Sequence, residues 1–555
     1  MIKPRNFTIP KLPTIPNGLN AYLKRVKVRA RANLTNSLET SKINVVGGRQ
    51  RYLSPSLSTF QAFKTPFTPC ASYMQYLWDD NGDQYLDLLA QNLTIGVGHG
   101  REEVVSRVMR QLDKMVHCTT MYYHESPVKA ARAIIETTLP KSVKDKHEYV
   151  VHFVNSGSEA VDLAIQMSRA YTKNWNVLAL RNSYHGLHGV AQAATGMSAC
   201  KQHIPDVSGV LHVANPDQYR PIYETTDEYV DELGRVIEYQ TPGKVAGFIF
   251  EQVQGYGGIN VLPKGYWQKC AKHIRQAGGL IIADEVQSGF KRMGTEAFWS
   301  FEMFDDVTAC KDQKFVKCKH ARTHARTHVR THARTHARTH MGRVEITTID
   351  PEITTIDPNE ITTIDPDEYP DIIVTAKALG NGLPIAAVIA KRDVAESIVD
   401  KRFFNTYGGN PTVCAAAQGV MEVVGEREFG RYVRSVGSSF QTQLMNVADA
   451  HSNIIGQVRG QGLMYGVEVV KDPVTKKPNP ELAADIFEEM RHQGVIMGLG
   501  GLHKNVLRVM PPMCVTHEDA EFMGEVFNHA CFKAREQKEL SRNDSGGICA
   551  TLPLL

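Results

Sequence analysis

Short apolar runs recur through the middle of the chain, and most are separated by stretches of helical spacing. Tyr149-Val150-Val151-His152-Phe153-Val154, Val177-Leu178-Ala179-Leu180, Val245 to Phe250, Leu280-Ile281-Ile282-Ala283, Ile372-Ile373-Val374 and Ala386 to Ala390 show little alternation of polar and apolar positions. Strands covered on both faces need no polar face, so these runs predict a mostly parallel central sheet in an α/β domain. Ahead of them, Tyr76 to Leu88 reads as two strands around the Asn81-Gly82 turn, followed by helical spacing over 101–116 and 127–138. After about Asn410, long helical patterns lead to Leu463–Glu468 and Val506–Met510, read as strands of a smaller α+β domain.

One segment breaks this order. Between 308 and 369, His-Ala-Arg-Thr repeats run from His320 to His340, and Glu-Ile-Thr-Thr-Ile-Asp-Pro then occurs at 345–351, 352–358 and 360–366. A CACG tetranucleotide read through in frame encodes the first repeat. Six histidines four apart could line one side of a helix, but that helix would also stack arginines four apart with nothing apolar to anchor it. The segment is read as a disordered insertion or a gene-model artefact that loops out between two core strands.

Composition refines the picture in three places. A chain of 555 residues exceeds the usual size of one domain, so a large and a small domain are expected. The formal charge of +4 depends on the segment from Lys311 to Arg343, which holds ten Lys or Arg and the single acid Asp312. The remainder is slightly acidic, and the repeat arginines alternate with Ala, Thr and His without aromatic stacking residues, so no nucleic acid partner is expected. Ten scattered cysteines without a CxxC pair predict a reducing compartment and no metal site. No apolar window is long enough to span a membrane.

No acidic residue precedes Glu39, while Lys3, Arg5, Lys11, Lys24, Arg25, Lys27, Arg29 and Arg31 are basic. Without a secretory apolar core, this composition predicts a mitochondrial transit segment over 1–40 and a matrix location, the alternative being a basic tail with no address. The expected organisation is then 41–115 contributing to the small domain, 116–307 and 370–430 as two parts of the large domain, 308–369 inserted, 431–535 as the C-terminal small domain, and 536–555 as a flexible tail.

The chemistry gathers at strand ends. Asp284 ends an apolar run in Ala283-Asp284-Glu285-Val286-Gln287-Ser288-Gly289, and Lys377 follows another in Thr375-Ala376-Lys377-Ala378-Leu379-Gly380-Asn381-Gly382. A carboxylate that keeps a pyridine nitrogen protonated and a lysine that closes a Schiff base are what pyridoxal phosphate requires. Asn155-Ser156-Gly157-Ser158-Glu159-Ala160 follows a strand and opens a helix, where free amides and the Ser158 hydroxyl can meet a phosphate; alone, it is equally an ordinary cap. Tyr184, in Tyr184-His185-Gly186, can cover one ring face and Val286 the other, with a core aromatic as the alternative for Tyr184. Gln287 can donate to the ring oxygen. Asn155, Glu251, Asp284 and Lys377 all fall at the carboxyl ends of strands, where open α/β sheets bind ligands.

Together these motifs resemble the class III aminotransferases of fold type I, over about 65–535 apart from the insertion. The resemblance implies a pyridoxal phosphate enzyme that exchanges amino groups by a ping-pong route, with Lys377 as proton carrier. It also implies a homodimer or a dimer of dimers, because Thr406 in Phe404-Asn405-Thr406-Tyr407-Gly408-Gly409-Asn410-Pro411 would reach the neighbour's phosphate. Within the family, Arg508 to Thr516, Val458 to Met464 and Tyr122-Tyr123-His124 look most like the mitochondrial alanine–glyoxylate branch. That likeness implies L-alanine with glyoxylate, or β-amino acids such as 3-aminoisobutyrate with pyruvate. Arg508 would then hold the substrate carboxylate, Tyr122 would stand near the entrance, and Glu251 would restrain an active-site arginine. Gln252, Val161 and Gly257-Gly258 depart from that branch and leave open ornithine, acetylornithine or other ω-amino acid transferases, and the phospholyases.

Overall fold

The computed structural model describes residues 44–58, 62–201, 205–304, 363–401 and 403–545. The expected transit segment, the tetrapeptide repeats and the end of the tail lie outside them.

Strands β1 (Pro69–Tyr73), β2 (Tyr76–Asp79) and β3 (Gln84–Asp87) form a meander whose last turn carries Asn81-Gly82, as the sequence predicts. Helices α1 (Glu102–Lys114) and α2 (Glu125–Thr138) follow. The central sheet then collects β4 (Tyr149–Val154), β5 (Val177–Leu180), β6 (Val210–Val213), β7 (Gly247–Phe250), β10 (Leu280–Asp284), β11 (Ile372–Thr375) and β12 (Ala386–Lys391), in the order β4-β12-β11-β10-β7-β5-β6. The two-residue strands β8 (Val253–Gln254) and β9 (Asn260–Val261) pair outside it. Every pairing in the central sheet is parallel except the two made by β12. The chain returns from β11 to β12 through residues 376–385 with no crossover helix, and such a connection can only join antiparallel neighbours.

Burial explains why these strands lack polar alternation. Leu178, Phe248, Ile281, Ile373 and Ile389 enter one apolar cluster, shared with Leu233 of α4 (Thr226–Gln240), Trp267 and Ile274 of α5 (Tyr266–Gln276) and Val420 of α6 (Pro411–Val424). Their strand neighbours Ala179, Ile249, Ile282, Val374 and Val388 enter a second cluster with Val161, Leu163 and Met167 of α3 (Gly157–Thr172). Successive side chains point to opposite faces, and helices cover both. Each large apolar side chain buried this way contributes about 1.5–3 kcal/mol, more than any local propensity difference. The edge strand β6 has no prediction behind it. Three half-buried residues and the buried Val213 carry no distinctive pattern, and pairing with β5 alone makes them a strand.

The carboxy-terminal part contains α7 (Phe429–Ala450), β13 (Ile455–Gln461), β14 (Met464–Asp472), β15 (Lys477–Pro478), α8 (Pro480–His492), β16 (Val495–Ile496), β17 (Gly498–Gly500), β18 (Val506–Val509) and α9 (His517–Ser545). Strand β16 pairs in parallel with β3, so the amino-terminal meander and this part share one sheet. Buried hydrogen bonds from Gln75 Nε2 (2.8 Å) and Tyr76 Oη (2.7 Å) to the Asp519 carboxylate fasten the same junction. Helix α9 runs through Ser545, ten residues beyond the start of the expected flexible tail at 536.

The fold also redraws the end of the insertion. Ile364 and Tyr369 are buried, and the Tyr369 ring lies edge-on to Phe301 at 5.2 Å while its hydroxyl donates to Glu302. Ile364, near the end of the third heptad, therefore belongs to the core. At the amino ends of the strands, the Asp371 amide donates to Ile281 and its carboxylate accepts from the Ile281 amide.

At Gly437 in α7, an added Cβ would lie 2.3 Å from the Gly462 carbonyl oxygen. Alanine normally stabilises a helix interior by about 1 kcal/mol over glycine. Here Gly437→Ala is expected to destabilise instead, by about 1–3 kcal/mol, seen as a lower thermal midpoint.

Candidate functional site

Four strand ends and the β11–β12 connection build one cavity of about 350 Å³. Its wall includes Asn155, Ser156, Gly157 and Ser158 after β4, Tyr184 and His185 beyond β5, and Asp284, Val286 and Gln287 at the end of β10. Lys377 and Leu383 to Ile385 close it from the β11–β12 connection, and Thr94 comes from the amino-terminal segment.

At the first corner, α3 begins directly beneath the cavity. Ser156 caps it by accepting from the Glu159 amide (3.3 Å), and Glu159 in turn accepts from the Asn155 amide (2.9 Å). The Gly157 and Ser158 amides precede the first intrahelical bond, so they stand at the positive end of the helix and can receive an anion. Glycine at 157 allows close approach: a Cβ there would be 3.3 Å from Val286 Cγ1. The Ser158 hydroxyl accepts from the Leu187 amide (3.3 Å), which brings the Tyr184–Leu187 turn over the helix start.

Asp284 is buried and doubly held. Its Oδ2 lies 2.7 Å from His185 Nδ1, and Oδ1 accepts from the Val286 amide at 3.1 Å. A carboxylate only accepts, so His185 carries its proton on Nδ1, and His185 Nε2 is buried without a partner among the described residues. Sequence reading quoted His185 within its motif and gave it no role; a histidine in a turn beyond a strand end was the only signal.

Glu251, also buried, accepts from the Tyr184 amide (2.8 Å), from Gln287 Nε2 (3.3 Å) and from the Gly255 amide (3.4 Å). Burial pushes its carboxyl up, opposed by the nearby His185 and reinforced by Asp284. The expected arginine partner is absent among the described residues. The backbone turn at Gly255 brings amide donors within reach and they take the carboxylate instead.

Lys377 lies half-buried at the cavity wall with φ of +41°, a region that costs a non-glycine residue about 1–3 kcal/mol. Desolvation lowers its amine to about 8; Asp284 and Glu251 oppose the shift and Arg508 adds to it. Arg508, 5% exposed on β18, makes no hydrogen bond or ion pair among the described residues, and burial draws its guanidinium down to about 10. Arg292, from the same motif as Asp284, is structural here: its Nη1 donates to the Leu463 (3.2 Å) and Pro511 (2.8 Å) carbonyls.

Four expected residues are not part of the cavity wall: Glu251, Arg508, Thr406 and Tyr122. Thr406 is exposed, on a loop tied to the site through Asn405 Oδ1, which accepts from Asn155 Nδ2 at 2.9 Å. Tyr122 is exposed beside that loop, where Asn410 Nδ2 donates to the Val116 carbonyl and His117 faces Tyr407 at 5.3 Å. The seven cysteines among the described residues are free, no metal-binding cluster occurs among those residues, and no helix there is long and apolar enough to cross a membrane.

Known proteins resemble this chain in sequence and in fold. The family described as Aminotransferase class-III matches residues 65–311 and 363–531. The mitochondrial alanine–glyoxylate aminotransferase 2 homolog 2 of Arabidopsis thaliana is 33% identical over 490 residues, 88% of this chain and 87% of that protein. The ethanolamine-phosphate phospho-lyase homolog 1 of Caenorhabditis elegans is 28% identical over 474 residues, 81% of this chain and 85% of that protein. Among solved structures, the omega transaminase of Pseudomonas jessenii in complex with PMP superposes with a TM-score of 0.71 at 22% identity, covering 89% of this chain and 99% of that one.

An amine lowered to about 8 loses its proton as the pH rises through that value. The rate at which the chain captures pyridoxal phosphate covalently is expected to climb through that pH and level off above it. Borohydride trapping and peptide mapping would place the label on Lys377, and Lys377→Ala should show no such labelling at any pH.

Proposed function

We propose that this chain, which belongs to the class III aminotransferases and so works with pyridoxal phosphate, moves the amino group of L-alanine to glyoxylate, leaving pyruvate and glycine. The observation that carries the reading is the buried Arg508 guanidinium. It has no hydrogen-bonding or ionic partner among the described residues, yet it lies close enough to Lys377 for its charge to lower the amine, as a site for a small carboxylate-bearing substrate requires.

The residues present suit the cofactor. The Gly157 and Ser158 amides would take its phosphate, Asp284 its ring nitrogen, Tyr184 and Val286 its two faces, and Gln287 its ring oxygen. Once bound, pyridoxal phosphate supplies an electron sink for the charge left on the substrate α-carbon when its proton is removed. Lys377 Nζ would carry that proton. His185 holds the Asp284 carboxylate in place, and Glu251 fixes Tyr184 and Gln287 to one another.

Assembly as a homodimer is part of the same reading. Met121, Tyr122, Tyr123, Phe404 and Tyr407 are exposed on the adjoining 116–123 and 403–410 segments, an apolar patch rarely left in water. A partner seated there would bring its own Thr406 loop to this cavity. A mitochondrial matrix location follows from the basic segment 1–40 and the Arabidopsis relative's name. The Caenorhabditis relative supports a second reading, phosphate elimination from an amino alcohol phosphate ester.

With the loaded chain, L-alanine is expected to bleach the visible absorbance and glyoxylate to restore it, with pyruvate formed in the first half-reaction. Inorganic phosphate released from phosphoethanolamine, with no response to L-alanine, would favour elimination instead. Lys377→Ala should lower kcat by at least roughly 10²–10⁴-fold. Light scattering should give twice the chain mass for the native protein, and Tyr407→Asp should shift it toward the monomer with loss of activity.

A further inference from the structure

We propose that Tyr256 is a positioning residue that presents Arg508 to the substrate carboxylate and so helps set which carboxylate substrates the enzyme accepts. The proposal rests on the reading of Arg508 as the carboxylate-binding residue and adds the device that aims it.

Tyr256 is half-buried in the turn between β8 and β9, and its carbonyl accepts from the Gly501 amide at 3.0 Å, which fastens the turn to the end of β17. The Arg508 guanidinium carbon lies over its ring, 5.2 Å from the centroid. The same ring meets Tyr184 edge-on, with centroids 5.4 Å apart and planes at 67°. Tyr184 lines the cavity, so the two tyrosines connect the cavity wall to the arginine.

The surroundings of Arg508 leave the ring as its main electrostatic partner. A Cβ at Gly500 would lie 2.8 Å from Arg508 Nε and one at Gly498 would lie 3.2 Å from it, so β17 gives the side chain a slot without giving it an acceptor. Arg508 Nε is buried and unpartnered, and no carboxylate pairs with the guanidinium among the described residues. An aromatic face is negative and attracts a cation laid upon it. The ring contact takes up no N–H donor of the guanidinium in a hydrogen bond, so the fork stays open. Tyr256 therefore does not compete with a carboxylate; it reduces the conformations that Arg508 must give up when one binds.

The test uses the full chain loaded with pyridoxal phosphate and propionate, an unreactive carboxylate, titrated by calorimetry. Tyr256→Leu, and Tyr256→Met as a second ring-less variant, should weaken propionate roughly three- to thirtyfold. Tyr256→Phe keeps the ring and should stay within about twofold, since the face and not the hydroxyl meets the guanidinium. Visible absorbance of the loaded variants should match the native enzyme, and KM for L-alanine should rise with kcat held to within about threefold. In an Arg508→Leu background, removing the ring should cause no further loss. Native propionate affinity in both ring-less variants overturns the proposal, as does Tyr256→Phe behaving like Tyr256→Leu, or a full additional loss in the Arg508→Leu background. If Arg508→Leu itself binds propionate as well as the native enzyme, the carboxylate-binding reading fails and this proposal fails with it, a result distinct from failure of the Tyr256 variants alone.

Discussion

The site depends on holding ionisable groups of opposite sign in a pocket with little water. Asp284 and Glu251 are buried at neighbouring strand ends, and both of them and the buried Arg508 guanidinium act through their charge on the Lys377 amine. Desolvation alone disfavours every one of these charges. Each carboxylate is stabilised by specific donors: His185 and the Val286 amide for Asp284, and two amides with Gln287 for Glu251. The cations are treated differently. Among the described residues neither Lys377 nor Arg508 receives a hydrogen-bonded counter-ion, and both are drawn below their ordinary values, which keeps the amine ready as a nucleophile and leaves the guanidinium available to an anion.

A parallel sheet makes this concentration possible. β4, β5, β7, β10 and β11 all end on the same side, so the residues that follow them converge without long loops. Reversal of the chain at β12 adds the Lys377 turn to that edge. On the other side, at the amino ends of the strands, Tyr369 packs on Tyr149 and Phe301 and Asp371 meets Ile281.

Much of this was legible in the sequence for one reason. Strands buried on both faces must be apolar throughout, and polar residues at their ends are conspicuous against such runs; Asp284, Glu251 and Lys377 stand out on that ground. Asn-Gly at 81–82 marked the first hairpin because Gly82 takes a positive φ of 86°, which few other residues accept. Local patterns failed where the decisive partner is remote. β6 is a strand only because β5 is beside it, and the third heptad repeat looks like its two predecessors although Ile364 is in the core.

The sequence by itself determined the layered α/β architecture, the strand ends that carry chemistry, and the lysine–aspartate pair, because periodicity and glycine-rich turns are written in residues that are near neighbours. Only the tertiary structure decided what each of those groups touches. It gave Asp284 a histidine 99 residues away, filled the Glu251 carboxylate with backbone amides where an arginine was expected, laid Arg508 on Tyr256, and set Thr406 and Tyr122 together on an exposed face. Hydrogen bonds and ring contacts act over a few ångströms between segments that folding brings together, and no local spacing in the chain encodes that distance.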